Sequence, residues 1–192
     1  QNIKENEKKT IFFIPAIIQT PITKLHLLYK NLRSNKRNFI IKEDFLSVSD
    51  LWFSLMHWSR IKVFNFEPIY VKNIDISKLV TEELRNNTDK FTVIESLLTY
   101  RFIKNIKKNH IQVRLAIDWF EGQIIDKAWN LGFKRFYPST KRIGYRAFES
   151  FPLYLCSYPI EIERKAEVIP DIIALQGRET INSVKEFMPN LK

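Results

Sequence analysis

The sequence predicts an α/β domain with a mainly parallel, three-layer sheet of Rossmann-like topology. Three observations lead to this prediction. Apolar segments of strand length alternate with amphipathic segments of helix length along most of the chain. The strand segments are apolar on both faces, which is typical of parallel strands covered by helices on either side. The chain has 192 residues, of which 45% are hydrophobic, so it can bury a substantial core.

The amino-terminal part of the chain begins the alternation. Apolar runs predict strands at 11–18, 38–42 and 68–72. Helices are predicted between and after them at 22–33, 49–61, 75–87 and 91–108. Leu25, Leu28 and Leu32 recur at helical spacing in the first of these helices. Ser49 or Asp50 would cap the second helix.

The carboxyl-terminal part continues the same pattern. Strands are predicted at 111–120, 141–148 and 171–177, and helices at 123–131 and 161–168. Gly132 would cap the helix that begins at Gln123, because glycine adopts the left-handed conformation common after helix ends. The tail from 178 onward is helical in pattern but carries little apolar surface. The resulting order of elements favours a parallel sheet.

We expect one main domain at 11–177, after a flexible polar segment at 1–10 and before a linker or the start of a second domain at 178–192. Cys156 is the only cysteine, so a reducing compartment is the simpler assumption. The apolar run 11–18 is too short to span a bilayer, which needs about 20 apolar residues. These features predict a cytoplasmic protein, with peripheral contact at the inner face of the plasma membrane as an open alternative.

The chain carries a formal net charge of +10 and has a sequence pI of about 9.6. Such a charge favours an anionic partner, although a lysine-rich codon usage would give the same excess. Basic residues cluster at the end of one predicted helix and at the strand after it, where they form either a phosphate footprint or a solvated face. They are Arg101, Lys104, Lys107, Lys108, His110 and Arg114.

The stretch from Asp118 to Gln123 lies where a predicted strand ends and a helix begins. In open parallel sheets, ligands bind at the carboxyl ends of the strands. Glu121 lies in the turn, where Gly122 permits close approach of a substrate, and its carboxylate would act as a general base. The alternative is that Glu121 only stabilises the helix dipole. Asp118 lies within the strand pattern, so we expect it to be partly buried, to hydrogen-bond a neighbouring loop, and to lower stability when replaced by Asn.

The sequence gives little support to other kinds of site. It contains no G-x-G-x-x-G, P-loop or G-x-S-x-G motif. His26, His57 and His110 are too far apart to predict a zinc site, and no D-x-D pair for a metal-bound diphosphate occurs. We therefore expect no metal and no cofactor. Trp119 is the tryptophan that would stack against a sugar ring, with a core position as the alternative.

Four short motifs follow one another in the carboxyl-terminal part. An aromatic-Glu-x-Gln turn precedes an IGY strand, a Pro/Tyr-rich loop and a PD-x-I strand that ends in glycine. They are Phe120 to Gln123, Ile143 to Tyr145, Pro152 to Pro159 and Pro170 to Ile173. In order and spacing they resemble the N-terminal half of bacterial surface-carbohydrate biosynthesis proteins, which are glycosyltransferase-like proteins of the GT-B architecture. With the earlier segments 40–45 and 71–84, the resemblance spans 38–177, and Arg146 stands where the family pattern has Gln or His.

The resemblance implies the acceptor-side half of a glycosyltransferase in capsule or lipopolysaccharide biosynthesis. Glu121 would be the catalytic base, and substrate contacts would come from Asp118, Trp119, Gln123, Tyr145 and Arg146. The implied partners are a glycan or lipid-linked glycan acceptor and a nucleotide-sugar donor, which a missing second domain would hold, so the isolated chain would be inactive. Two alternatives stay open, a non-catalytic Rossmann-like scaffold and a basic nucleic-acid-binding domain. For the second, only Tyr100 and Phe102 interleave with the basic run, so we expect no specific nucleic acid.

Overall fold

The structure is a computed structural model and describes residues 11–17, 20–86, 90–147 and 157–190. The chain divides into two compact units, Gln1–Phe45 and Leu46–Lys192, a boundary that the sequence did not predict. The predicted flexible segment 1–10, the single cysteine Cys156 and the first part of the Pro/Tyr-rich loop lie outside the described residues.

The first unit contains a short β-α-β arrangement. Strand β1 (Phe12–Phe13) pairs in parallel with β2 (Asn38–Phe39), and α1 (Leu25–Arg33) lies between them in the chain. The helix agrees with its prediction, but the expected buried strand at 11–18 does not, since β1 has two residues and both are exposed. Pro15 lies two residues after the short ladder and lacks the amide proton that a longer strand needs.

The second unit opens with helices and a hairpin. The predicted helix 49–61 is two helices, α2 (Val48–Leu55) and α3 (His57–Val63). The predicted strand 68–72 is β3 (Tyr70–Val71), which pairs antiparallel with β4 (Ile74–Asp75) rather than joining a parallel sheet. Lys72 and Asn73 connect them with φ of 48° and 70°, as a tight two-residue hairpin turn requires. Helix α4 (Ser77–Asn86) follows, as predicted.

A three-stranded parallel sheet forms the centre of this unit and confirms the α/β class. Its strands β5 (Leu115–Trp119), β6 (Lys141–Arg146) and β7 (Ile172–Leu175) lie in the order β5-β6-β7. Four helices accompany them, namely α5 (Lys90–Lys108), α6 (Ile124–Phe136), α7 (Glu161–Lys165) and α8 (Arg178–Phe187). Within the described residues, no helix combines the length and the apolar character needed to cross a membrane.

One face of this three-stranded sheet is buried by neighbouring elements of the chain. That face carries Ala116, Asp118, Arg142, Gly144, Arg146 and Ile173, which are buried or half-buried. On the opposite face, Leu115, Ile117, Trp119 and Tyr145 are between 44% and 60% exposed. On this same face Ile143, Ile172 and Ala174 are half-buried, so the described residues show coverage of one face and only partial coverage of the other. Strands that are apolar on both sides show that each face suits an apolar neighbour, but they do not show that this part of the chain supplies it.

Helix α6 is longer than predicted, because Gly132 lies inside it and not at its end. The helix continues to Phe136, and Tyr137 occupies the C-cap. A Cβ atom added to Gly132 would lie 2.7 Å from Ile103 Cδ1 of α5. Glycine at this position therefore allows the two helices to approach each other closely.

Helix α8 buries more apolar surface than its sequence suggested. Val184 in its last turn and Met188 just after its end are 3% and 2% exposed. Met188 packs with Phe120, Ile169 and Ile173 in a buried cluster under the sheet. The segment predicted as a linker or the start of a second domain thus lies against the main sheet.

Asp50 joins α2 to α5. Ser47, not the predicted Ser49 or Asp50, is the N-cap of α2, and Asp50 returns the bond by accepting from the Ser47 backbone amide at 2.9 Å. Arg101 Nε and Asn105 Nδ2 donate to the same carboxylate at 2.5 and 2.8 Å. Burial alone would raise the pKa of Asp50, but these hydrogen bonds outweigh it and hold the pKa well below its usual range. Arg101 of the basic run is therefore committed to an internal ion pair.

Candidate functional site at the end of strand β5

The turn between β5 and α6 is held by a buried carboxylate at the start of the helix. Asp126 is the third residue of α6, and its Oδ2 accepts from the backbone amides of Glu121 (2.8 Å) and Gln123 (3.0 Å). Gln123 is the N-cap and forms a capping box with Asp126. Gly122 adopts φ of 78°, a left-handed conformation that glycine accepts without strain. The position of Glu121 is thus fixed by its own backbone.

The Glu121 carboxylate is oriented by its two neighbours in the turn. Trp119 Nε1 donates to Glu121 Oε1 at 2.5 Å, and Gln123 Nε2 donates to Glu121 Oε2 at 2.6 Å. An ionised carboxylate offers about four lone-pair positions, so acceptor capacity remains on both oxygens. The structure therefore brings together three residues that the sequence placed in the site.

Trp119 and Tyr145 form an exposed aromatic corner beside this carboxylate. They are paired neighbours on β5 and β6, at the carboxyl ends of the strands. Their ring centroids lie 5.9 Å apart and their planes meet at 80°. Trp119 is 53% exposed and Tyr145 is 44% exposed, so the predicted alternative of a core position for Trp119 is wrong.

Asp118 lies on the opposite face of the sheet, under α6. Asn130 Nδ2 of α6 lies 3.5 Å from its Oδ2, so its partner is a helix residue and not the expected loop. Among the described residues, its buried Oδ1 has no hydrogen-bond partner. Burial, followed by the charge of Asp126, raises the pKa of Asp118 to about 7, although Asn130 and Arg142 oppose this. Asp118 therefore lies apart from the corner at which a substrate contact was predicted.

Arg146 is also removed from the surface. Its side chain is fully buried and lies over the Phe120 ring, with the guanidinium carbon 5.6 Å from the ring centroid. Nε donates to the carbonyl oxygen of Phe120 at 3.4 Å, and Nη2 donates to that of Ser157. Burial lowers the pKa of Arg146 from its ordinary value. The guanidinium thus supports the turn from behind, which corrects the predicted substrate contact.

Two residues that support the site were missed by the sequence analysis. The first is Asp126, whose spacing from Gln123 fits a capping box and was a signal that the sequence offered. The second is Gly144 in β6, where an added Cβ atom would lie 2.7 Å from Phe120 Cβ and 2.8 Å from Pro170 Cγ. No pattern in the sequence reveals such a close approach, because it depends on how the next loop packs.

The fold and the β5–α6 turn indicate the kind of site that the chain carries, but they do not indicate a protein family. The chain carries an α/β unit in which a carboxylate and two aromatic rings meet at the carboxyl edge of parallel strands. Comparisons with family models, curated proteins and solved structures give no match. Within the described ranges, no group of three or more His, Cys, Asp or Glu side chains is arranged to hold a metal ion.

Proposed function

We propose that this chain is the acceptor-side half of a GT-B glycosyltransferase that acts in bacterial surface polysaccharide biosynthesis. The supporting observation is the oriented Glu121 carboxylate beside the exposed Trp119–Tyr145 corner. Ligands of open parallel sheets bind at the carboxyl ends of the strands, which is where this group lies. The assignment to surface polysaccharides rests on the resemblance of residues 38–177.

In the proposed reaction, an acceptor hydroxyl approaches Glu121 while its sugar ring lies against the aromatic corner. Glu121 accepts the hydroxyl proton as the acceptor oxygen bonds to the anomeric carbon of the donor. The bond from that carbon to the nucleotide diphosphate breaks, and the diphosphate leaves with the electron pair. In this proposal the donor is held by a second Rossmann-like half.

The contacts of Glu121 and its turn would hold a general base at this position. Asp126 fixes the backbone of the turn, while Trp119 and Gln123 each hold one oxygen of the Glu121 carboxylate. A base with a fixed orientation needs little reorganisation when the acceptor binds. This arrangement favours catalysis over a role in the helix dipole alone, since the dipole requires no specific contacts to the side-chain oxygens.

Sugar transfer by the complete natural protein tests this proposal. The protein is supplied with a panel of nucleotide-sugars and glycan acceptors, and Glu121→Gln is compared with Glu83→Gln, an exposed residue of α4. We expect Glu121→Gln to lower turnover by ~10²–10⁴, the usual range for a positioned general base, with an unchanged melting temperature. Glu83→Gln should retain wild-type turnover. Wild-type turnover in a folded Glu121→Gln protein would reject Glu121 as the base.

A further inference from the structure

We infer that the Trp119–Tyr145 corner binds a sugar ring without negative charge and discriminates against acidic sugars. This inference rests on the proposed function, because it concerns the same site. It follows from the shape of the corner, from the hydrogen-bonding groups beside it and from the charges that a ligand would meet there.

The shape of the corner suits a flat ring with an apolar face. Two exposed rings at 80° offer one surface for stacking and a second surface for the edge of the same ligand. The C–H face of a pyranose ring is apolar and stacks on aromatic rings of this size. Because Trp119 Nε1 donates to Glu121, the orientation of the indole is fixed before a ligand arrives.

The polar groups beside the corner match the hydroxyls of a sugar. Glu121 keeps acceptor capacity on both oxygens after its bonds to Trp119 and Gln123. The exposed Gln123 amide uses one proton for Glu121, so a second N–H remains, and its carbonyl oxygen keeps a second lone pair beyond the capping box. A ligand with neighbouring hydroxyls can therefore donate to Glu121 and also exchange bonds with Gln123.

The charges around the corner disfavour an anionic ligand. Glu121 presents a carboxylate at the corner, and the Asp126 carboxylate lies behind it in the turn. Two cations on the other face of the sheet are engaged inside the protein, since Arg146 is fully buried and Arg142 is 5% exposed and paired with Asp171, whereas Arg178 at the start of α8 is exposed. Lys127, near the start of α6, pairs with Glu163 at 2.7 Å. The carboxylate of a uronic acid placed against Glu121 would thus meet a like charge.

Nuclear magnetic resonance of the indole groups tests this inference. The chain has four tryptophans, and the Trp119 Nε1–H signal is assigned by its loss in Trp119→Phe. The labelled chain is titrated with methyl β-glucopyranoside and with methyl β-glucuronide. We expect the neutral glycoside to shift the Trp119 signal, and the glucuronide to bind at least about tenfold more weakly, which corresponds to about 1.4 kcal/mol. The signal of Trp52, which is also exposed, should not move with either glycoside.

The Glu121→Gln variant supplies the charge test, because it keeps the size of the side chain and removes its charge. We expect it to bring the two affinities within about twofold of each other, whereas Glu83→Gln should keep the tenfold difference. Equal or tighter glucuronide binding by the wild-type chain would overturn the charge inference and leave the sugar site standing. If neither glycoside moves the Trp119 signal, the sugar site itself is rejected and the proposed function loses its main support.

Discussion

Replacing Asp118 by Asn should stabilise the protein at neutral pH and have little effect under acidic conditions. In the folded protein the pKa of Asp118 is about 7, compared with an ordinary value of 3.8. The folded state therefore binds this proton more tightly than the unfolded state does. The contribution of Asp118 to stability is greatest below about pH 4, decreases as the pH rises towards 7, and is constant above that.

The size of the effect follows from the difference between these two pKa values. One pKa unit corresponds to about 1.4 kcal/mol, so a rise of about three units amounts to roughly 4 kcal/mol. Residue Asp118 as a whole is half-buried, and water screening reduces the figure, so we expect about 2–4 kcal/mol. Asparagine removes the charge and keeps a side-chain oxygen that can accept from Asn130 Nδ2.

Urea unfolding at pH 4.5, 6 and 8 measures this prediction. The free energy of unfolding of Asp118→Asn should exceed that of the wild type by about 2–4 kcal/mol at pH 8, and the difference should vanish towards pH 4. Asp171→Asn serves as a control in which the free energy of unfolding should change in the opposite direction. Burial alone would raise the pKa of Asp171, but its bonds to Arg142 outweigh this and lower it, so this variant should lose stability at neutral pH.

A loss of stability in Asp118→Asn that is equal at pH 8 and at pH 4.5 would show that the Asp118 carboxyl has no raised pKa in the folded protein. The sequence alone leads to a loss of stability in this variant, since it predicts that Asp118 is partly buried and hydrogen-bonds a neighbouring loop. The structure reverses the sign because the Asp118 carboxyl lies among buried groups and next to the Asp126 carboxylate.

The remaining predictions concern packing and a buried ion pair. Gly144→Ala should lower the free energy of unfolding by about 1–3 kcal/mol, because the added methyl group would strike Phe120 and Pro170. An unchanged urea midpoint would show that Phe120 is not seated against β6. Asp50→Ala should lower stability by about 3–5 kcal/mol, because Arg101 would lose its buried partner. Asp44→Ala, which breaks an exposed pair with Arg33, should change stability by less than about 1 kcal/mol. Equal losses in Asp50→Ala and Asp44→Ala would contradict the greater contribution expected of the buried pair.

Long, periodic segments were predicted well from the sequence. Helix α5 (Lys90–Lys108) was expected at 91–108, and the three parallel strands of the second unit lie within their predicted ranges. These elements have patterns that repeat over many residues and pack against one another, so local preference and tertiary burial agree.

The predictions failed where the outcome depends on distant packing. The run 11–18 is apolar enough for a buried strand, yet among its described residues, 11–17, the strand comprises Phe12–Phe13 alone, and both are exposed. Gly132 resembles a helix C-cap in sequence but allows α5 and α6 to approach each other. A glycine that ends a helix and one that admits a neighbouring helix have the same local signature, and only the partner distinguishes them.

The candidate site was predicted in part. Trp119, Glu121, Gln123 and Tyr145 come together as expected, since the ends of neighbouring parallel strands meet at one edge of the sheet. Asp118 alternates to the opposite face, as the strand period requires, and so lies under α6. The burial of Arg146 had no signal in the sequence, because it depends on carbonyl groups supplied by Phe120 and Ser157.

A crystal structure of the protein with a bound neutral oligosaccharide would test whether a sugar binds beside Glu121 in the Trp119–Tyr145 corner. We expect a sugar ring stacked in the Trp119–Tyr145 corner, with one of its hydroxyl groups within about 3 Å of a Glu121 oxygen, the distance that proton transfer requires. A sugar bound elsewhere on the chain, or one in the corner with every hydroxyl beyond hydrogen-bonding reach of Glu121, would contradict Glu121 as the base.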